Sequence, residues 1–392
     1  GQYLCTTGSG VAWAAVSAGG FSADADVNLF ASNTCSGCNL DGSSGCFNIL
    51  LGACSGKSIT SGYSNIALGC CALGNATVTG YRNIAIGDGA GQDMTSGYDN
   101  ILMGYKSGEN LTTGKCNVIL GFHSYRCPTG GDNNVIIGKE ANTSGGGSDS
   151  IFIGRYAGPG TSAGANIGHN IGMGYNAGGA SNAADYKYNV VLGYQAHLGG
   201  SYACYNVALG YNTMRCMCSG EGNIAIGRAA LRGSGTASDN TGAYNIAFGY
   251  CVLYDVTTAS NNIALGCIVG SDLTTGTHNI FMGRQTACKT TTGSYNIVFG
   301  DRAMNDQITT GGCNIILGKD AGADMTSGNL NIMIGRGIAH ETSGGAFTGE
   351  KNVFIGDCAA NSSCVGSVSH SVFIGSYAGA SASGTHSVFV GP

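Results

Sequence analysis

Side chains that could do acid–base chemistry are few in this 392-residue chain and lie far apart in the sequence. The glutamates are isolated and stand at Glu109, Glu140, Glu221, Glu341 and Glu350. Glycoside hydrolysis needs two carboxylates that flank one bond; such a pair can form in space, but we interpret these glutamates as solvated loop charges. The seven histidines show neither a His-Glu-x-x-His nor a His-x-His spacing. We therefore predict no catalytic residue, no metal site and no cofactor, and we expect that the protein is not an enzyme.

The chain has eighteen cysteines, several of which recur at a fixed spacing. Cys54 and Cys71 are seventeen residues apart, which would place them on neighbouring turns of a repeating structure. Two interpretations remain open: the thiols are small apolar fillers of the interior, or pairs such as Cys54 and Cys71 cross-link neighbouring coils or chains. Zinc is disfavoured because the pair Cys35 and Cys38 has no second pair at ligand spacing.

Three tyrosines, Tyr175, Tyr194 and Tyr211, directly follow the glycine in three successive copies of one short motif. The motif reads Asn-Ile-x-Φ-Gly, in which Φ is apolar and Val also replaces Ile. Their equal phase predicts a column of rings on the surface. Such a column either shields a coil edge by aromatic stacking or contacts a glycan, and the sequence leaves both interpretations open.

The same motif runs through most of the chain and must position all of these residues. Counting Ser for Asn, it occurs twenty times between Asn48 and Ser387, and ten of the nineteen intervals are 17 residues long. A fixed period of this length is typical of stacked-repeat proteins. The long intervals add residues within 155–169, 175–188, 228–244, 336–351 and 357–370, which we expect to form surface loops.

Each repeat has the composition of a short strand followed by turns. The apolar, often β-branched residues of the motif favour a strand, and the motif glycine permits the positive φ that a corner requires. Seventy glycines with only three prolines fit many tight turns. We therefore predict an all-β fold, a parallel β-solenoid of about twenty coils of ~17 residues each. Residues 48–392 would form the repeat shaft, and residues 1–47 a connecting segment with one degenerate copy at Asn28.

The motif asparagines are expected to stack into a ladder in which side-chain amides bond from coil to coil. The predicted rungs are Asn48, Asn65, Asn83, Asn100, Asn117, Asn134, Asn189, Asn206, Asn223, Asn245, Asn262, Asn279, Asn296, Asn314, Asn331 and Asn352.

The predicted strands are apolar on both faces. The Ile and Φ side chains form one face, which we take as the strand core, and the middle residues, such as Leu102, Ile119 and Phe152, form the other. One coil is too thin to cover the second face, so that identical chains are expected to associate along their length. Cyclic closure follows, and a homotrimer is the preferred assembly.

Charge and hydropathy exclude two classes of partner. The net charge is −5 and no Lys/Arg cluster is present, so that nucleic-acid binding lacks an electrostatic basis. No apolar run approaches the roughly 18–20 residues of a membrane span, so that no membrane insertion is expected. Because the sequence begins at Gly1 and ends at Pro392 directly after a motif glycine, we expect it to be a piece of a longer protein.

Four segments of the sequence resemble known families. Residues 61–69, Ser-Gly-Tyr-Ser-Asn-Ile-Ala-Leu-Gly, and residues 154–158, Gly-Arg-Tyr-Ala-Gly, look like the cysteine-containing repeats in tail-fibre-like proteins of marine cyanophages. Residues 1–13 are similar to a segment that often precedes phage fibre modules. Residues 371–378, Ser-Val-Phe-Ile-Gly-Ser-Tyr-Ala, resemble the head repeat of trimeric autotransporter adhesins, which form a left-handed parallel β-roll with a shorter repeat.

These resemblances imply a structural fibre protein of a phage tail appendage, located in the virion, whose rigid trimeric rod attaches to a host surface. The implied partners are further copies of the chain, a host cell-surface glycan or protein receptor, and other virion tail proteins. The alternative is a β-solenoid adhesin or filament that is extracellular or at the cell surface. Neither family implies catalytic residues.

Overall fold

The chain forms two compact units, Gly1–Tyr188 and Asn189–Pro392. A computed structural model describes residues 2–7, 10–15, 21–23, 28–31, 36–40, 45–144, 146–160, 166–179, 184–235, 240–340, 345–361, 367–380, 382 and 384–391. These residues contain no α-helix, and thus no helix that could cross a membrane.

Within its described residues the first unit has fourteen short strands. They are β1 (Gln2–Thr7), β2 (Gly10–Ala15), β3 (Phe21–Ala23), β4 (Leu29–Ala31), β5 (Ile49–Leu51), β6 (Ile66–Leu68), β7 (Ile84–Ile86), β8 (Ile101–Met103), β9 (Val118–Leu120), β10 (Val135–Ile137), β11 (Ile151–Ile153), β12 (Asn166–Gly168), β13 (Ile171–Met173) and β14 (Asp185–Lys187). Strands β4 to β11 and then β13 pair in parallel and in chain order. The pairs β1–β2 and β3–β4 are antiparallel.

The second unit continues the same pattern. Its strands are β15 (Val190–Leu192), β16 (Tyr202–Cys204), β17 (Val207–Leu209), β18 (Ile224–Ile226), β19 (Ile246–Tyr250), β20 (Ile263–Cys267), β21 (Ile280–Arg284), β22 (Ile297–Phe299), β23 (Ile315–Leu317), β24 (Ile332–Ile334), β25 (Val353–Ile355), β26 (Val372–Ile374) and β27 (Val388–Val390). Strand β15 pairs with β17, and each strand from β17 to β26 pairs in parallel with the next.

These pairings confirm the predicted fold class, a parallel β-solenoid of about 19 coils of ~17 residues. The register follows the motif, because Ile84 lies opposite Ile101 and Ile101 opposite Val118. The degenerate copy at Asn28 joins the stack, since Leu29 pairs in parallel with Ile49.

Two of the predicted surface loops carry strands of their own. Within 155–169 and 175–188, β12 and β14 pair in parallel, with Ile167 opposite Tyr186. Parts of all five insertions lie outside the described residues, namely 161–165, 180–183, 236–239, 341–344 and 362–366.

The motif glycines stack on one another with almost no space between them. Gly104 has a φ of +129°, and a Cβ built on it would lie 2.5 Å from the carbonyl oxygen of Gly121 in the next coil. Any side chain would therefore collide with backbone as well as strain the corner. Equivalent contacts, such as that of Gly121 with Gly138, explain the glycine that ends the motif wherever another coil stacks on it.

The prediction of which strand face forms the core was wrong. In the coil that begins at Asn100, the middle residue Leu102 is fully buried, together with Ser107 and Leu111, whereas Met103 is 40% exposed. The interior of a coil is so narrow that each strand contributes one inward side chain. The Ile and Φ side chains therefore lie outside, and a single chain covers its own middle residues.

One ionisable side chain of the second unit lies wholly inside. His197 is fully buried, and desolvation lowers its pKa to about 4 from 6.5. Between these values the unfolded chain binds a proton that the folded chain does not, so that stability falls as the pH falls through this window. We expect the wild type to lose about 3 kcal/mol more than His197→Gln between pH 7 and pH 4. Urea unfolding of both proteins at each pH measures this difference, and equal losses would contradict the assignment.

Candidate functional site

The motif asparagines form a buried polar ladder within each unit. The Asn100 backbone amide and its Nδ2 both donate to Oδ1 of Asn83, at 3.1 and 3.0 Å, and Nδ2 also donates to the Gly114 carbonyl at 2.8 Å. Asn117 repeats these contacts to Oδ1 of Asn100. The Asn100 side chain thus satisfies two buried backbone groups of the next coil and also bonds to the asparagine side chain of the previous one.

The ladder includes every asparagine that the sequence predicted as a rung. In the first unit it begins one coil earlier, because the Asn48 amide donates to Oδ1 of Asn28 at 2.7 Å. Serine replaces asparagine at Ser150, Ser371 and Ser387, and the Ser387 amide still donates to Oγ of Ser371 at 3.1 Å. All of these rungs except the half-buried Ser387 are buried, and they have a structural role, so that the surface that can meet a partner lies elsewhere.

An apolar stripe, here called the outer stripe, is exposed along each unit. It consists of the residues one and three positions after each motif Asn or Ser, from Ile49 to Met173 in the first unit and from Val190 to Val390 in the second. All of them are apolar and none is buried. Their exposure reaches 74% at Val390, and exposed or half-buried members recur in every coil along the stack of each unit.

The three tyrosines proposed for glycan contact are all exposed. Tyr194 and Tyr211 stack in the second unit with ring centroids 5.2 Å apart, as the sequence predicted. Tyr175 belongs to the first unit, where it packs edge-on against Tyr156 at 6.0 Å. The guanidinium of Arg228 lies 5.7 Å from the Tyr211 ring and extends the stack of Tyr194 and Tyr211 by a cation–π contact. The glycan contact itself stays a prediction.

A second aromatic column escaped the sequence analysis. Tyr63, Tyr81 and Tyr98 stack with centroid distances of 4.8 and 4.9 Å. The signal was available, because each of these tyrosines lies two residues before a motif Asn in consecutive copies. Beside the column, Arg82 pairs with Asp99 at 2.9 Å.

The first unit also carries an open groove of about 350 Å³. It is lined by Gly146, Gly147, Ser148, Ile167, Gly168, His169, Lys187 and Tyr188. His169 and Tyr188 stack at 4.9 Å, and His169 Nδ1 lies 3.8 Å from Oδ2 of Asp149. Aromatic faces next to charged groups and backbone are suited to hydroxyl-rich ligands.

The glutamates that the structure describes lie next to lysine, arginine or tyrosine side chains, as carboxylates in polar networks at a protein surface do. Glu109 is nearly buried and accepts hydrogen bonds from Lys106 Nζ and Arg126 Nε, both at 2.7 Å. Desolvation alone would raise the pKa of Glu109, but these two cations outweigh it and lower the pKa. Glu140 and Glu350 lie 3.7 Å from adjacent lysines. Glu221 accepts from the Tyr244 hydroxyl, and Glu341 lies outside the described residues.

Cys54 and Cys71 lie on consecutive coils and are both free thiols. Cys70 Sγ and Cys71 Sγ are 3.6 Å apart. The hydrogen bond with Cys70, followed by burial, raises the pKa of Cys71 to about 11, which leaves this thiol protonated near neutral pH. Cross-linking stays a prediction, and Cys35 lies outside the described residues.

No family model matches the chain, and no curated protein or solved structure is significantly similar to it. The fold and the exposed surface therefore define the class, a parallel β-solenoid repeat protein.

Proposed function

We propose that this chain forms the shaft of a phage tail appendage, a rigid trimeric rod in the virion that attaches to a host surface. The observation that carries the proposal is the outer stripe, which is apolar in every coil of each unit. An apolar patch that recurs along a whole stack is typical of an interaction surface. The resemblance of the repeats to cyanophage tail-fibre-like proteins supports the same function.

Three identical chains give the stripe a partner of the same length and period. Because the coils repeat about every 17 residues, stripes of two copies match rung by rung when the chains run parallel. A cyclic trimer closes this contact without leaving an unpaired stripe. The buried asparagine ladder supports the mechanical part of the function, since it ties each coil to the next through fully paired amides.

Host attachment requires a surface that the trimer leaves open. The exposed tyrosines Tyr175, Tyr194 and Tyr211 and the groove at His169 and Tyr188 are the surfaces suited to a cell-surface glycan or protein receptor. Other tail proteins of the virion would hold the ends of the rod.

The outer stripe can be tested by placing charges on it. The variant Met103→Asp/Leu120→Lys/Ile137→Asp puts alternating charges on three paired rungs, which limits repulsion within one chain. We expect the variant trimer to dissociate at protein concentrations at least about tenfold higher than those at which the wild-type trimer dissociates. The circular dichroism spectrum should stay the same, because the fold of each chain is kept. Analytical ultracentrifugation measures this shift. The control Ser96→Asp/Thr113→Lys charges exposed turn residues and is expected to stay trimeric. A wild type that sediments as a monomer would refute the assembly.

The alternative function is a β-solenoid adhesin or filament at a cell surface, which would use the same stripe. Immunogold electron microscopy with antibodies against the purified chain distinguishes the two. Labelled tail appendages on virus particles would support the fibre, and labelled cell surfaces would support the adhesin.

A further inference from the structure

Three potential metal ligands of the second unit come together from three consecutive coils. Asp306, Asp324 and His340 each offer one atom, and these atoms lie within 4.8 Å of one another. The intervals between the residues are 18 and 16, close to the coil period, so that stacking brings them into one column. Within the described ranges no other group of three such side chains converges in this way.

The shortest distance within the group matches the edge of a tetrahedral coordination shell, and the next is somewhat longer. His340 Nδ1 lies 3.4 Å from Oδ2 of Asp324 and 3.9 Å from Oδ2 of Asp306. Ligands about 2.1 Å from one tetrahedral ion are about 3.4 Å apart. His340 Nδ1 is shielded from solvent and makes no hydrogen bond, although two carboxylates face it. Asp324 is nearly buried, so that its charge gains much from a nearby cation.

We propose that Asp306, Asp324 and His340 form a binding site for a divalent first-row transition cation such as Mn²⁺ or Zn²⁺. Two carboxylates and one imidazole suit this class of ion, and water would complete the shell. The cation would join three successive coils, and one of its ligands, His340, lies within the insertion at 336–351. The proposal does not depend on the fibre function, since it concerns only how this part of the solenoid is held.

The competing arrangement is a protonated His340 that pairs with both carboxylates and binds no metal. The two arrangements respond differently to an added cation. A titration of the full chain with Mn²⁺ at neutral pH distinguishes them. The electron paramagnetic resonance signal of the free ion measures how much Mn²⁺ remains unbound. Mn²⁺ is the probe because the many thiols of the chain prefer softer ions.

We expect the wild type to bind one tight equivalent of Mn²⁺ and to melt at a higher temperature when it is bound. His340→Gln and Asp306→Asn should each weaken Mn²⁺ binding by at least about tenfold. Loss of a residue that only hydrogen-bonds to a metal ligand already weakens metal binding by about this factor, and a direct ligand should matter at least as much. Pulsed spectra should show nitrogen coupling to Mn²⁺ in the wild type and none in His340→Gln. The matched control is His169→Gln. In the wild type His169 Nδ1 lies 3.8 Å from Oδ2 of Asp149, but no third metal-binding side chain of the described ranges joins this pair, so that the control should bind Mn²⁺ as the wild type does.

Absence of a tight equivalent in the wild type, or undiminished binding by both variants, would overturn the proposal. Asp306 is exposed, so that Asp306→Asn is expected to fold and keeps the test decisive if the other variant is unstable.

Discussion

Leu102→Asp is expected to unfold the coils around residue 102. Leu102 is fully buried, and its neighbours in the stack, Ala85 and Ile119, are also fully buried. A carboxylate there would lose its hydration and find no cation inside the coil, a loss of about 4 kcal/mol or more. In a repeat array the damage spreads to adjacent coils, since each coil is stabilised mainly by its neighbours. Circular dichroism during heating should show a large loss of the folded signal.

The matched control for this variant is the next residue of the same strand. Met103 lies on the outer stripe, so that Met103→Asp places its charge in water and should leave the fold of the single chain intact. If Leu102→Asp melted at the wild-type temperature, the inward direction of the middle residue would be wrong.

The sequence predicted the architecture because its signal is periodic. A motif that returns at about 17 residues permits only a stack, and the register of that stack follows from aligning the copies. The recurrence of asparagine at one position of the motif predicted the ladder for the same reason. Asn83, Asn100 and Asn117 can form hydrogen bonds with one another only if neighbouring coils superpose. The trimer has no such intramolecular signal and stays a prediction.

The face of the strand that forms the core could not be read from the pattern. Both faces are apolar, and alternation separates them without saying which is inside. The width of the coil decides which face lies inside. That width depends on the corners, and the residues that form equivalent corners differ in type from coil to coil. The residue before the motif Asn, for instance, has positive φ at Arg82, Tyr295 and Lys351, although none of these residue types favours that conformation.

The proposed metal ligands show a further limit of local motifs. Zinc and iron sites are usually recognised by ligands a few residues apart, whereas Asp306, Asp324 and His340 are separated by whole coils. In a solenoid the relevant spacing is the coil period. A search for metal ligands at multiples of about 17 residues would have found this group, because two intervals of 18 and 16 preserve the phase.

Asn100→Leu is expected to break the ladder at one rung. Oδ1 of Asn100 accepts from the backbone amide of Asn117, and Nδ2 donates to the Gly114 carbonyl. Leucine leaves these buried groups without partners, and each costs about 1–3 kcal/mol. The expected loss of unfolding free energy is about 2–6 kcal/mol, measured by urea denaturation.

Asn100→Ser is the informative comparison, because the chain itself uses serine as a rung at Ser150 and Ser371. The Asn170 amide donates to Oγ of Ser150 at 3.2 Å, so that a hydroxyl can replace the acceptor but cannot reach the carbonyl of the next coil. Asn100→Ser should therefore lose roughly half as much stability as Asn100→Leu. Equal losses would mean that side-chain volume, and not the amide bonds between coils, decides which residue occupies the rung.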